Sequence, residues 1–204
     1  MFAVAVFYLA SQPSPWITPI EAVGFLSGLL WIWFLIKENP WGWLAGIVSS
    51  STYVYYFFIN KLYGDAALNA LYVILGALGW YWWVRKIDRS GHLEIENVST
   101  RVLMILAVAS TIGALLLIPH FRNADSPAPI PDAVLFCSAL SAQFLQARKK
   151  IENWPFWISI NLGYVAVYIY KGWYATSILT TVYALMAIAG WMSWSGKIKK
   201  AAIS

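Results

Sequence analysis

The sequence predicts an all-α integral membrane protein: seven transmembrane helices forming two parallel three-helix repeats joined by a linker helix (3+1+3). Three observations lead there. Of 204 residues, 60% are hydrophobic and 11% charged, against about 25% charged in a typical soluble domain. The charges are clustered, and the apolar segments between clusters run to about 17 to 20 residues, long enough at about 1.5 Å per residue to cross a hydrocarbon core about 30 Å thick. Finally, the chain resembles itself at a fixed offset, with room for one helix between the copies.

Residues 1–15 begin with "MFAVAVFYLA", which is apolar but short, without a basic leader or a small-residue cleavage site. An interfacial lead-in is expected there rather than a signal peptide. The first helix is expected over 20–36, opened by Thr18-Pro19-Ile20-Glu21, a capping box with proline at the first helical position. The second, over 41–59, follows Asn39-Pro40, and the third, over 66–84, follows Asp65; both acids and amides are good caps. Gly24-x-x-x-Gly28 and Gly42-x-x-x-Gly46 read as helix-packing surfaces on the first two. The linker helix is expected over 102–119, and the second repeat over 132–147, 154–170 and 174–194, all within one transmembrane domain spanning 1–204.

Seven spans put the termini on opposite sides. Lys37, Arg85, Lys86, Arg89, Arg101, Arg148, Lys149, Lys150, Lys197, Lys199 and Lys200 fall on the C-terminal side, and only Lys61, Arg122 and Lys171 on the other. Eleven against three places the C-terminus in the cytoplasm and the N-terminus outside. The net charge of +5 is thereby a topology signal and implies no nucleic-acid partner.

A shift of 111 brings "AVGFLS" onto "AVLFCS", and Tyr63, Leu68, Tyr72, Gly79, Trp80 and Trp83 onto Tyr174, Leu179, Tyr183, Gly190, Trp191 and Trp194. At "ENPWGW" (38–43) and "ENWPFW" (152–157) the letters favour an offset of 114. Three-helix units keep a common orientation only if a spare span intervenes, which assigns the fourth helix as spacer. Such parallel repeats, related by an axis along the membrane normal, occur in SWEET-type transporters and leave a pathway between bundles.

No phosphate-binding glycine loop, metal cluster or activated nucleophile is present, and His92 and His120 fall in expected loops. Cys137 lies in an apolar run and reads as a packing residue. Glu21 and Asp65 sit at helix starts, so no carboxylate relay for ion coupling is seen. The polar residues left in the spans are amides and hydroxyls. Trp154, Trp157 and Asn161, spaced three and four apart, share one face of the sixth helix, with Gln143 inside the fifth. Such a set can form a pocket in which indoles grip a flat ring and amides bond hydroxyls or a carboxamide. The same residue types also make interfacial aromatic belts and interhelical ties.

The stretches "WGWLAGIVSSSTYVYYF", "KLYGDAALNALY", "GWYWW" and above all "AQFLQARKKIENWPFWISINLGYVAVYIYKGWY" resemble the bacterial PnuC nicotinamide riboside transporters, over about residues 18–194. The resemblance implies a full-length SWEET-type fold in the bacterial inner membrane, a homotrimer, and facilitated diffusion with trapping by a cytoplasmic kinase. It implies no enzyme activity, cofactor or metal. It carries vitamin contact onto Gln143, Trp154, Trp157 and Asn161, with Trp157 on the ring and Trp154 at the entrance. Asn69 would meet the ligand from the first repeat, although the family pattern has glutamine there. Relatives of this fold carry thiamine or riboflavin, so these vitamins are alternatives, with a membrane receptor or membrane-embedded enzyme more remote.

Overall fold

Hydrocarbon cannot hydrogen-bond backbone amides, so a chain this apolar must satisfy them internally, and helices do so. The computed structural model describes residues 19–59, 63–85, 94–123, 126–170, 172 and 174–201. Among these residues there are seven α-helices: α1 (Pro19–Ile36), α2 (Trp41–Ile59), α3 (Tyr63–Arg85), α4 (Thr100–Asn123), α5 (Pro129–Ala147), α6 (Asn153–Tyr170) and α7 (Tyr174–Ala201). They match the seven expected spans. The main differences are at the ends: α4 continues through Pro119 to Asn123, carrying His120 into its last turn, and α7 runs on past Trp194.

Asn39 caps as expected, its Oδ1 accepting the Trp41 N–H at 3.0 Å. α3 starts at Tyr63, so Asp65 lies within its first turn rather than ahead of it. Residues 1–18, with Thr18 of the expected capping box, and the side chains of Glu21 and Asp65 lie outside the described residues.

The helices fall into two compact units, α1–α3 up to Glu94 and α4–α7 from Ile95. In the first, α2 packs on both α1 and α3; in the second, α5 packs on α4 and α6, and α6 on α7. Glycines permit the close approaches. A Cβ on Gly24 would lie 2.8 Å from the Tyr53 ring, and one on Gly46 2.6 Å from the Trp31 indole. The small-residue patterns on α1 and α2 are therefore packing surfaces.

The turn between α1 and α2 recurs between α5 and α6. Glu38 (φ 58°) and Lys149 (φ 55°) are the two non-glycine residues with positive φ among the described residues. The Glu38 N–H donates to Leu35 O and the Asn39 N–H to Phe34 O; the Lys149 N–H donates to Gln146 O and the Lys150 N–H to Leu145 O. Each is a Schellman stop with its left-handed residue at the helix end, and each pairs residues exactly one shift apart: 38 with 149, 39 with 150. The offset across this hairpin is 111, not the 114 suggested by the Glu-Asn letters. Glu152-Asn153 sits one helical turn later than Glu38-Asn39, because polar and aromatic residues recur in each turn and letters alone allow a one-turn slip.

The displaced Glu152 has its own task. Its carboxylate accepts the Val98 N–H with both oxygens at 3.0 Å, while the Lys150 ammonium lies 2.5 Å from Glu96 Oε2. Backbone bonds from Glu96 N to Lys149 O (3.3 Å) and from Ile151 N to Glu96 O (3.1 Å) complete a short bridge. The segment entering α4 is thus clasped to the α5–α6 turn. Further along, Ser110 of α4 bonds the Ser141 hydroxyl at 2.8 Å, and Cys137 packs against Gly113.

α4 turns Met104, Ile105, Val108, Ile112, Leu115 and Leu116 outward, and only 6% of its most apolar stretch is buried. Such an apolar ridge is unfavourable in water and suited to lipid.

The largest buried rings repeat too. Trp43 meets Trp83 edge-on at 5.6 Å, and Trp154 meets Trp194 at 5.2 Å. In each unit a glycine of the last helix lies against the first indole: a Cβ on Gly79 would be 2.7 Å from Trp43, and one on Gly190 2.5 Å from Trp154. Gly190→Ala should therefore lower stability by about 1–3 kcal/mol through overpacking. Gly196→Ala, in open space on the same helix, should be neutral or stabilising, as helix propensity dictates. Thermal unfolding of the detergent-solubilised variants compares them.

Candidate functional site

Within α5, burial selects Ala139, Ala142, Gln143, Leu145, Gln146 and Ala147 as an inward strip. Small alanines on this strip let α6 approach. Ala139, Ala142 and Ile160 form a cluster on which Trp157 packs. The i, i+3 spacing of Gln143 and Gln146 places both amides on the same strip. They are 4% and 1% exposed.

The two glutamines differ in what they bond. The Trp157 Nε1–H donates to Gln146 Oε1 at 3.1 Å. The Gln143 side chain makes no hydrogen bond among the described residues, nor does that of half-buried Asn161 on α6. Gln143 and Asn161 are thus amides of adjacent helices with bonding capacity to spare, on the helix pair whose Trp157 indole has its own donor occupied. α5 and α6 contain no Lys or Arg and only Asp132, in the first turn of α5, as a carboxylate. The two helices are aromatic and rich in amides, and the cations nearest in the chain, Arg148, Lys149 and Lys150, lie in the turn that joins them. Such a helix pair can bind a flat ring by its faces and hydroxyls or a carboxamide by hydrogen bonds.

Trp154 stands apart from this group. It is wholly buried against Trp194 and Gly190 on the α7 side, where its indole fills interhelical space. Asn69 is buried on α3, in the line Ala66, Asn69, Tyr72, Gly76, Gly79, Trp83 that packs the first unit. The second unit carries Gln143 on α5 and Trp157 and Asn161 on α6, with Trp157 joined to Gln146; Trp154 lies in its core, and Asn69 is in the other unit.

Two features escape sequence reasoning. Gln146 is one; its signal in the sequence is the three-residue spacing from Gln143. Leu135, Ser138, Pro155, Phe156, Ser159 and Ile160 line an open groove of about 380 Å³ between α5 and α6. At about 100° per residue, Pro155, Phe156 and Ser159 point away from the Trp157–Asn161 side of α6.

The shared offset of 111 tells which residues occupy the corresponding positions in the first unit. Ile32 corresponds to Gln143, Leu35 to Gln146, Gly46 to Trp157 and Ser50 to Asn161. There the bulky ring comes from α1, as Trp31 lying on Gly46; in the second unit it comes from α6, as Trp157 packed against the cluster of Ala139, Ala142 and Ile160. The first unit has no amide at any of these four positions.

Residues 18–196 match the sequence model of the family described as nicotinamide mononucleotide transporter. The chain is similar to a nicotinamide riboside transporter PnuC of Neisseria mucosa, 25% identical over 202 residues, covering 93% of this chain and 75% of that one. The Escherichia coli nicotinamide riboside transporter PnuC is 23% identical over 203 residues, covering 86% and 84%. The riboflavin/roseoflavin transporter RibM of Streptomyces davaonensis is 25% identical over 183 residues, covering 85% and 83%. The crystal structure of a vitamin B3 transporter PnuC has the same fold, with a TM-score of 0.68 at 22% identity, over 98% of this chain and 88% of that one.

The packing contrast gives a direct expectation. Trp154→Ala should cost about 3–5 kcal/mol as a buried indole is lost. Trp157→Ala, half-buried, should cost clearly less. Chemical denaturation of the two purified variants measures the difference.

Proposed function

The chain belongs to the nicotinamide mononucleotide transporter family, and on that premise we propose that it carries nicotinamide riboside across the bacterial inner membrane by facilitated diffusion. The observation that supports this cargo best is a pair of amides without hydrogen bonds, Gln143 on α5 and Asn161 on α6, on the helix pair that also carries Trp157 and holds no lysine or arginine within its helices. A pyridinium cation is attracted to an indole face by about 0.5–2 kcal/mol, most strongly where water is excluded. The ribose hydroxyls and the carboxamide supply partners for the amides.

In this reading Trp157 stacks on the pyridinium, while Asn161 and Gln143 bond ribose or carboxamide. Trp154 lines the entrance, its indole braced against Trp194 and Gly190. The helices are two parallel triplets with α4 as linker, and the excess of Lys and Arg on the C-terminal side places that terminus in the cytoplasm. With no carboxylate in the middle of a span, transport runs down the concentration gradient, and phosphorylation in the cytoplasm prevents return.

Riboflavin is the second reading, favoured by the similarity to RibM. Its isoalloxazine also offers a flat face and its ribityl chain offers hydroxyls, but it carries no ring cation.

Calorimetry on purified protein should show nicotinamide riboside binding that is lost in Trp157→Ala and Asn161→Ala, with both variants still folded; unchanged affinity in both would remove the site. Tighter binding of riboflavin would reverse the choice of cargo. In proteoliposomes, uptake of labelled riboside should survive collapse of the proton and sodium gradients by ionophores. Abolished uptake would exclude passive facilitation.

A further inference from the structure

We infer that Gln146 is a positioning residue for cargo recognition, acting through the hydrogen bond that sets the plane of the Trp157 indole. The inference rests on the reading of Trp157 as the ring-stacking residue.

Burying an amide requires a reason, because a glutamine in an apolar strip gives up water and must find partners. Gln146 is 1% exposed, at the last turn of α5. Packing does not require it. At the corresponding place in the first unit Leu35 is fully buried, and the same helix–turn–helix forms there with the same Schellman bonds and the same left-handed residue at its stop. A leucine would therefore serve the hairpin.

What differs is the partner. Leu35 lies in the unit that has Gly46 where the second has Trp157, so it has no indole from α2 to hold. Gln146 and Trp157 appear together in the second unit, joined at 3.1 Å. The indole N–H is a donor only, so the oxygen of the amide must face it. A planar ring held at one edge by this bond, and packed against the cluster of Ala139, Ala142 and Ile160, loses rotational freedom about its side-chain bonds. Stacking on a flat ligand rewards that restriction, since the ordering cost is met before the ligand arrives. The amide thus fixes ring orientation without touching cargo.

The test is a double-mutant cycle on the full-length protein, read by calorimetric affinity for nicotinamide riboside, with melting temperature recorded for each variant. Gln146→Leu, which places the first unit's residue in the second, should weaken binding about five- to tenfold, as expected for the loss of one hydrogen bond, while the ligand-free melting temperature is held or raised. Gln146→Met serves the same purpose should the branched side chain fit poorly. Trp157→Phe keeps a ring and removes the N–H. In that background Gln146→Leu should cause no further loss, because the bond it would break is already gone.

Equal losses in the two backgrounds would show that Gln146 acts independently of the indole, and would overturn the inference. So would unchanged affinity in both Gln146→Leu and Gln146→Met when Trp157→Ala abolishes binding; the assignment of Trp157 would then stand. If Trp157→Ala itself binds normally, the assignment of Trp157 fails and the inference with it.

Discussion

The fit of a tryptophan of one helix against a glycine of the next holds each unit together. Trp43 on Gly79 and Trp154 on Gly190 are contacts in which a single Cβ would enter the ring. In a bilayer, helices gain no hydrophobic free energy by meeting, since lipid is as apolar as they are, so close van der Waals packing has to hold them. A broad ring received by a residue with no side chain maximises that packing. A second indole, Trp83 or Trp194, closes over the edge of the first. With that geometry set, the orientation of α2 and α6 within each unit is fixed, and Trp157 and Asn161 follow Trp154 along the same side of α6.

The second unit has features of its own. Its helix turn is clasped by Glu96, Val98 and Glu152 to the segment entering α4, so the start of α4 is tied to the α5–α6 turn by charged and backbone bonds. Lys149 in the same turn is 1% exposed, with its ammonium 5.8 Å from the Trp194 ring centre. That cation contributes to the turn rather than to the soluble surface, although in the sequence it counts as one more basic loop residue. On the adjacent strip the first unit's Ile32 and Leu35 give way to Gln143 and Gln146. The duplication has kept the scaffold and changed the chemistry on it, which is how a repeat protein can build an asymmetric site from similar halves.

Most of the helices were legible in the sequence because their signal is local. Apolar length, prolines at helix starts and charge clusters at helix ends located α2 and α6 to within a residue. The register of the repeat was legible from Gly79, Trp83, Gly190 and Trp194, but slipped by one turn at Glu38-Asn39 and Glu152-Asn153, where similar letters recur on successive turns. The candidate site was legible as residue types. Its internal division was not, because Trp154 and Trp157 differ by three positions and lie on overlapping faces of one helix. Only the neighbours decide that one meets Gly190 and the other Gln146.

Sequence by itself determined that this chain is helical, bound for a bilayer, internally duplicated and poor in ionised groups within its spans. Each of these follows from composition and spacing along a single chain, which hydrocarbon thickness and helical rise convert directly into structure. Tertiary structure alone decided which tryptophan is scaffold, which amides keep unspent hydrogen-bonding capacity, and why Glu152 is a carboxylate. Those properties belong to pairs of residues on different segments. Burial and hydrogen-bond satisfaction are settled by whatever the fold brings within about 3 Å, and no spacing in the sequence specifies that distance.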